Sequence, residues 1–371
     1  MRIVKAAITP RQLLFACAAF VQGSSLLTSL FVGVLRQNSW LGVVTAYLLT
    51  LPILWIYLAL LSRHPGKSLI EINDIVYGRI FGKLFSAFYI FYFFSLIALN
   101  AYDVYSFVIG YMMPNTPPEI IALLFVLLPI LAARKGVEIL VHIAPLICII
   151  QLISLPLFAF LQLNDMNPSN LLPLFNMPIR QFTQGTSTIV ALPFCEIIVF
   201  LMIIPGVDDQ KKAAKSVFGG FSIGAGVLFI IVMSNILVLG PTMEYFNLPQ
   251  FESIRLIDVA EIINRMDTLY ALLLYLLRFF KVSILVYACA LALAQMNGLT
   301  KYRPFVSILG VMAALLSMFI HESSPASFEW GEGTAAVFSS IFNIALPAVT
   351  LLVSLLRGGV TKRRQRSAVK T

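Results

Sequence analysis

The stretches Gly23-Ser24-Ser25 and Leu192-Pro193-Phe194-Cys195-Glu196 decide the reading of this chain, because each interrupts a long apolar segment. In hydrocarbon an unpaired peptide group is costly, so non-helical backbone persists only where protein or a wet cavity covers it. Gly and Ser permit unwinding, while Pro193 removes a donor and disfavours helix just before it. Taken singly, the small residues would merely let helices pack closely and the proline would merely kink its span. The two interruptions, however, fall in the first and sixth apolar segments, the leading helices of two five-span halves. Paired breaks in matching positions point to a small-molecule site at an inverted-repeat interface.

The bilayer follows from composition. Of 371 residues, 59% are hydrophobic and only 12% charged, and the mean hydropathy is +0.91. That is too apolar for a soluble domain of this length. A helix needs about 20 apolar residues to cross the hydrocarbon layer, and ten segments qualify: near 10–35, 40–62, 84–112, 118–133, 137–162, 180–205, 216–240, 269–296, 304–321 and 335–356. The predicted fold is an all-α polytopic membrane protein with ten transmembrane helices. It would be a LeuT-like 5+5 inverted repeat with helices 1 and 6 broken, in one permease-like domain over 1–371. The first half covers about 10–162, the second about 180–356, and a basic tail occupies 357–371.

Cytoplasmic loops are enriched in Lys and Arg. With the N-terminus inside, the inner segments hold Arg2, Lys5 and Arg11; Arg63, Lys67, Arg79 and Lys83; Arg134 and Lys135; Lys211, Lys212 and Lys215; Lys301 and Arg303; and the tail cations from Arg357 to Lys370. The outer connections hold only Arg36, Arg180, Arg255 and Arg265. Both termini are therefore expected in the cytoplasm. The net charge of +9 reflects this topology, with Lys362-Arg363-Arg364-Gln365-Arg366 facing anionic lipid headgroups. No aromatic-interleaved basic domain suggests nucleic acid, and no cleavable signal peptide is apparent, because Arg11 interrupts the first apolar run.

Cys17, Cys148, Cys195 and Cys289 all fall in apolar spans without a C-x-x-C pair, which argues against disulfides and structural zinc. His64, His142 and His321 lie near span ends without ligand spacing. No nucleophile-base-acid set, Walker loop or dinucleotide fingerprint is visible. Neither an enzyme nor a cofactor or metal is expected. Between spans, Ile254 to Arg265 alternates apolar and charged residues at helical spacing, as an amphipathic helix on the outer surface would, and Ser68 to Tyr77 is a shorter inner counterpart.

A carboxylate deep in a span is costly unless neutralised, paired or hydrated, which makes Glu196 a functional candidate. It would meet a substrate ammonium, carry a proton, or pair across helices with Arg278 or Lys281. These two cations are three residues apart on the eighth span and so share one face, which should point into the bundle. Asp103 in the third span is a weaker candidate, near enough to its outer end to face water. The aromatic run from Phe85 to Phe94 reads as packing and lipid contact.

In the order of these features the chain resembles the B-subunit permeases of bacterial spore germinant receptors, a branch of the amino acid/polyamine/organocation transporter superfamily. The resemblance runs from Thr9-Pro10-Arg11-Gln12 to the basic tail. It rests on Gly23-Ser24-Ser25-Leu26-Leu27, Arg134-Lys135-Gly136-Val137-Glu138, Asn170-Leu171-Leu172-Pro173-Leu174, Phe194-Cys195-Glu196, the stretch Ile257 to Asp267, and Asn297-Gly298-Leu299. The chain departs from the family pattern at Cys195, where Gly is usual, near Ser29-Leu30, where a Pro is common, and at His142, where an Arg is frequent. The resemblance implies a sensor of a small nutrient, often an amino acid, in the inner membrane of a dormant spore, acting with an A-type membrane subunit and a C-type lipoprotein. Its ligand-binding residues would be Gly23, Ser24, Ser25, Leu192, Pro193, Phe194, Cys195 and Glu196, with Arg278, Lys281 and Asp103 as charge partners. Two other functions fit the same residues: a proton- or sodium-coupled amino acid or polyamine transporter, and an assembly subunit in which Glu196 pairs structurally.

Overall fold

A computed structural model describes residues 8–257 and 265–368, with side chains described as far as Arg357. The architecture is helical throughout: α1 Pro10–Gln22, α2 Ser29–Leu35, α3 Ser39–Arg63, α4 Leu69–Tyr77, α5 Arg79–Tyr111, α6 Pro118–Lys135, α7 Val137–Leu161, α8 Ile179–Ile189, α9 Gln210–Leu239, α10 Pro249–Arg255, α11 Met266–Met296, α12 Arg303–Ser317, α13 Ser324–Glu332, α14 Thr334–Ser340 and α15 Leu346–Ala368. Among the described residues, seven helical stretches are long and apolar enough to cross a membrane: Ser25–Arg63, Arg79–Tyr111, Val137–Leu161, Ile179–Met202, Gln210–Tyr245, Met266–Met296 and Thr334–Arg357.

The expected first span, 10–35, is divided: α1 ends at Gln22, and α2 continues through a short tight segment into the same apolar stretch as α3. The expected fourth span is α6, the ninth is the shorter helix α12, and the tenth is divided between α14 and α15. The inner amphipathic segment forms α4, capped by Ser68 and Glu71 in a reciprocal box. Of the outer one, Ile254 to Ile257 at the end of α10 and Arg265 are described; residues 258–264 lie outside the described residues, as do the side chains of the basic tail from 358 onward.

Why the breaks can be tolerated follows from where they sit. α11 is buried along most of its length and packs on α5, α6, α12, α7 and α1. α1 lies between α9, α7 and α11, and Ala16 to Val21 are fully buried. The lipid-facing surface is carried instead by residues such as Leu48, Trp55, Leu124, Leu146, Ile153 and Leu352, all exposed. The irregular segments themselves, from Gly23 to Leu26 and from Ile189 to Ile204, are buried within the protein, as non-α backbone at membrane depth requires.

The ends are tied by polar contacts. Thr9 caps α1 together with Gln12, and Pro10 occupies the first turn, where its missing N–H costs nothing. Ile8 N donates to Gly206 O (3.1 Å) and Asp208 N donates to Ile8 O (3.0 Å), a parallel bridge between the start of α1 and the end of the sixth span. At the junction of α3 and α4, His64 Nε2 lies 2.9 Å from Ser354 Oγ of α15. Burial, and then the neighbouring Arg63, lowers the His64 pKa.

The seam between α1 and α9 is built on small residues. A Cβ at Gly224 would come 2.5 Å from Val21 Cβ and 3.2 Å from Ala18 O, whereas one at Gly226, two residues on, would meet nothing within 4 Å. Gly224→Ala should therefore cost about 1–3 kcal/mol through overpacking. Gly226→Ala should stay within about 0.5 kcal/mol. Thermal unfolding of the two purified variants checks this contrast.

Candidate ligand site

The two breaks are changes of helical pitch rather than extended segments. At the end of α1, Gly23 N still donates to Ala19 O (2.9 Å), but Ser24 N donates to Val21 O (3.0 Å), and Ser25–Thr28 continues with the tighter three-residue pattern before α2 begins. In the sixth span, α8 widens at Val190–Phe194, where Cys195 N reaches back to Val190 O, and then tightens over Cys195–Met202. A proline cannot supply the N–H that an α-helix needs, and the wide turn around Pro193 absorbs that deficit. The two irregular segments touch each other directly.

The carbonyls loosened by this change of pitch are met by side chains from elsewhere. Asn343 Nδ2 donates to Ala191 O (2.9 Å), and the Tyr92 hydroxyl lies 2.8 Å from the same amide nitrogen. Asn343 itself sits in a second wide turn, Ile341–Ala345, within the last span. The Tyr57 hydroxyl donates to Asn343 O at 2.5 Å, with Cys195 O at 3.4 Å. Its single proton is best placed on the nearer carbonyl. Tyr92 also stacks on Phe342 with ring centroids 4.8 Å apart.

The centre of the arrangement is charged. Lys281, fully buried, pairs with Glu196, which is 1% exposed. The same ammonium donates to Ser24 Oγ at 2.7 Å and lies 5.3 Å from the centroid of the Phe20 ring. One turn away on α11, the buried Arg278 pairs with Asp103 at 3.1 Å and donates to Asn100 Oδ1. Two cations on one helix thus meet two carboxylates on two others. The cluster is neutral as a whole, which is what permits so many charges at this depth.

α11 approaches the first break closely enough to fix the residue there. A Cβ on Gly23 would come 2.9 Å from both Leu277 O and Lys281 Cβ, so Gly23 serves close packing as well as the change of pitch. Ser24 is bonded to Lys281, and Ser25 meets the Tyr270 hydroxyl. Leu192 and Glu196 line a cavity of about 30 Å³ together with Leu27, Asn100, Asp103 and His321. A second cavity of about 120 Å³ shares Leu27, Leu30, Asp103 and Ser327 with it and extends past Phe107 to Asn247. Phe194 packs edge-on against Phe221 with centroids 5.1 Å apart, and Pro193 and Cys195 are buried beside it.

Of the two cations offered as partners for Glu196, the structure selects Lys281 and gives Arg278 to Asp103. Sequence reasoning missed Asn343, Tyr57 and Asn100. Asn343 is a buried amide inside the last apolar span, and Asn100 stands three residues before Asp103, so a search for every polar residue inside a span would have found both. His321, read as an interfacial residue, lines the inner cavity.

Comparison with known proteins follows this geometry. The spore permease family model, described as "Spore germination protein", matches residues 7–325. The chain belongs to that family. Over 368 residues it is 26% identical to spore germination protein KB of Bacillus subtilis (strain 168), covering 98% of each chain. It is 24% identical over 231 residues to spore germination protein B2 of the same strain, covering 61% of this chain and 60% of that one. Among solved structures, the chain is similar to Mhp1, a nucleobase-cation-symport-1 family transporter, with a TM-score of 0.59 at 12% identity over 92% of this chain and 79% of that one. It is similar also to a Na⁺-coupled sialic acid symporter, with a TM-score of 0.62 at 10% identity over 89% and 78%. These likenesses give a LeuT-like transporter fold. With the apolar helices they bear out an integral membrane protein, and family membership bears out the spore germination reading taken from the motifs.

A buried ion pair is strongly destabilising to break from one side, by about 3–5 kcal/mol, and much less so to replace whole. Glu196→Gln should therefore lower stability in that range, while Glu196→Gln combined with Lys281→Met should recover most of the loss. A double-mutant cycle on the melting of the purified protein reads the coupling directly.

Proposed function

We propose that this protein is the membrane subunit of a nutrient germinant receptor, and that its ligand binds where the two broken helices meet. The observation that carries the reading is the Lys281 ammonium, which bonds at once to Ser24 in the first break and Glu196 in the sixth span. A polar ligand entering the inner cavity beside Leu192 and Glu196 competes with these contacts. It thereby changes how the first and sixth spans are held together. The coupling can be no larger than the ligand's differential affinity for the two arrangements.

In this reading the chain is a single ten-span domain with both termini in the cytoplasm. Its halves, about 10–162 and 180–356, are related as a five-plus-five inverted repeat. The binding residues are Gly23, Ser24, Ser25, Leu192, Pro193, Phe194, Cys195 and Glu196, with Lys281, Arg278 and Asp103 holding the charge balance. The subunit sits in the spore inner membrane and acts with an A-type membrane subunit and a C-type lipoprotein, and it carries out no catalysis. Supporting the reading are family membership, whole-length similarity to protein KB and the transporter fold. A second reading, coupled transport of an amino acid or polyamine, draws on the same two cavities that meet at Asp103.

Three measurements test this. Spores carrying Ser25→Ala or Leu192→Phe should show a nutrient threshold shifted about tenfold at normal subunit abundance by immunoblot. An unchanged threshold, or loss of the complex, would favour an assembly role. Uptake of a labelled nutrient into proteoliposomes holding this chain alone would favour transport. Reporter fusions at Asn247 and after Thr371 should report opposite sides of the membrane, and the same side would refute the ten-span topology.

A further inference from the structure

A third cavity, of about 330 Å³, lies outside the site just described, between α5 and α11. Its walls are apolar side chains of the two helices, Phe107 and Ala271 among them, with Leu26 of the first break and Arg278 at its foot and Thr268 at its mouth. Met112, Leu269 and Leu272 at the mouth are 41%, 57% and 67% exposed. They continue the apolar surface that the spanning helices turn to the bilayer. From Thr268 to Arg278 the groove runs about 15 Å along α11 at the helical rise.

The lining says what can occupy it. A water molecule needs two to four polar partners, and the groove offers few. Left empty, the walls would forfeit dispersion contacts along their whole length. Beside the mouth stands a cation: Arg265, 78% exposed, donates to Thr268 Oγ1 at 3.3 Å, with Asp267 as a loose neighbour at 3.7 Å. An apolar slot open to the bilayer, with an exposed guanidinium at its rim, is complementary to an anionic headgroup joined to a hydrocarbon chain.

We infer that this groove binds one phospholipid, with its phosphate on Arg265 and Thr268 and one acyl chain laid between α5 and α11 as far as Leu26 and Arg278. Leu26 and Phe107 line the groove on one side and the larger ligand cavity on the other. A chain in the groove therefore backs two residues of the ligand cavity and fixes the tight turn after Gly23. This lipid site is separate from the nutrient site and from the basic tail, and it stands whether or not the chain senses a nutrient.

The test is native mass spectrometry of the purified full-length chain with added palmitoyl-oleoyl phosphatidylglycerol. The wild type should retain one lipid through detergent washing. Ala271→Trp, which fills the groove, should lower retention at least tenfold, and Arg265→Gln should lower it severalfold. If Ala271→Trp melts early, Thr268→Trp at the exposed mouth replaces it; Val349→Trp on the outer face of α15 should retain lipid as the wild type does. Equal retention by the groove-filling variants and the wild type overturns the inference, as does no retention by the wild type. Retention lost in Arg265→Gln alone would mean headgroup binding at the surface without a seated chain, and equal retention of dioleoylglycerol would remove the role of the phosphate.

Discussion

The structure depends on the burial of the Lys281–Glu196 pair. Taking two charges out of water costs several kcal/mol per ion even after relaxation, and only close geometry with further hydrogen bonds offsets it. Here the offset comes from Ser24, from the face of the Phe20 ring, and from a second pair, Arg278–Asp103, one turn along the same helix. Each of these partners belongs to a different element. The pair therefore holds the first break, the segment after Pro193 and α11 in one relation, and α5 is drawn in through Asn100 and Asp103.

The irregular backbone around that pair is held by a different principle. Changing pitch from α to wide and then tight turns leaves carbonyls without their usual partners, and each must be met within the protein. Asn343 meets Ala191 O beside Pro193, and Tyr57 of α3 in turn meets Asn343 O. The wide turn that contains Asn343 repeats the device of the wide turn at Pro193. Two non-α segments thus support one another at the same depth.

Much of this was legible in the sequence, and for physical reasons. Apolar runs of bilayer length and a Gly-Ser-Ser or Pro inside them are properties of single segments, so composition and spacing reveal them. Burial of a carboxylate in such a run likewise marks Glu196 without a structure. What a single segment cannot reveal is which of two cations three residues apart turns toward which partner, because that depends on the rotation of α11 against α1 and α5. The form of the breaks was equally hidden. Pro193 predicts a lost hydrogen bond, but whether the chain unwinds or changes pitch depends on side chains as remote as Asn343. Division of the expected first span at Gly23 followed the motif, and division of the last apolar stretch around Asn343 has its own sign in Pro347, four residues on, which cannot donate to Asn343 O.

The short bridge between Ile8 and Val207 carries a mechanical consequence. Two backbone hydrogen bonds fasten Ile8, two residues ahead of α1, to the turn at Gly206 to Asp208 that closes the segment begun by α8. The two broken helices are therefore clasped at that end and pinned by Lys281 in their middles. Rearrangement that leaves the clasp intact must pivot about it, so the far ends of the pair, α2 and α8, sweep the greater distance and behave as the jaws of a tweezer.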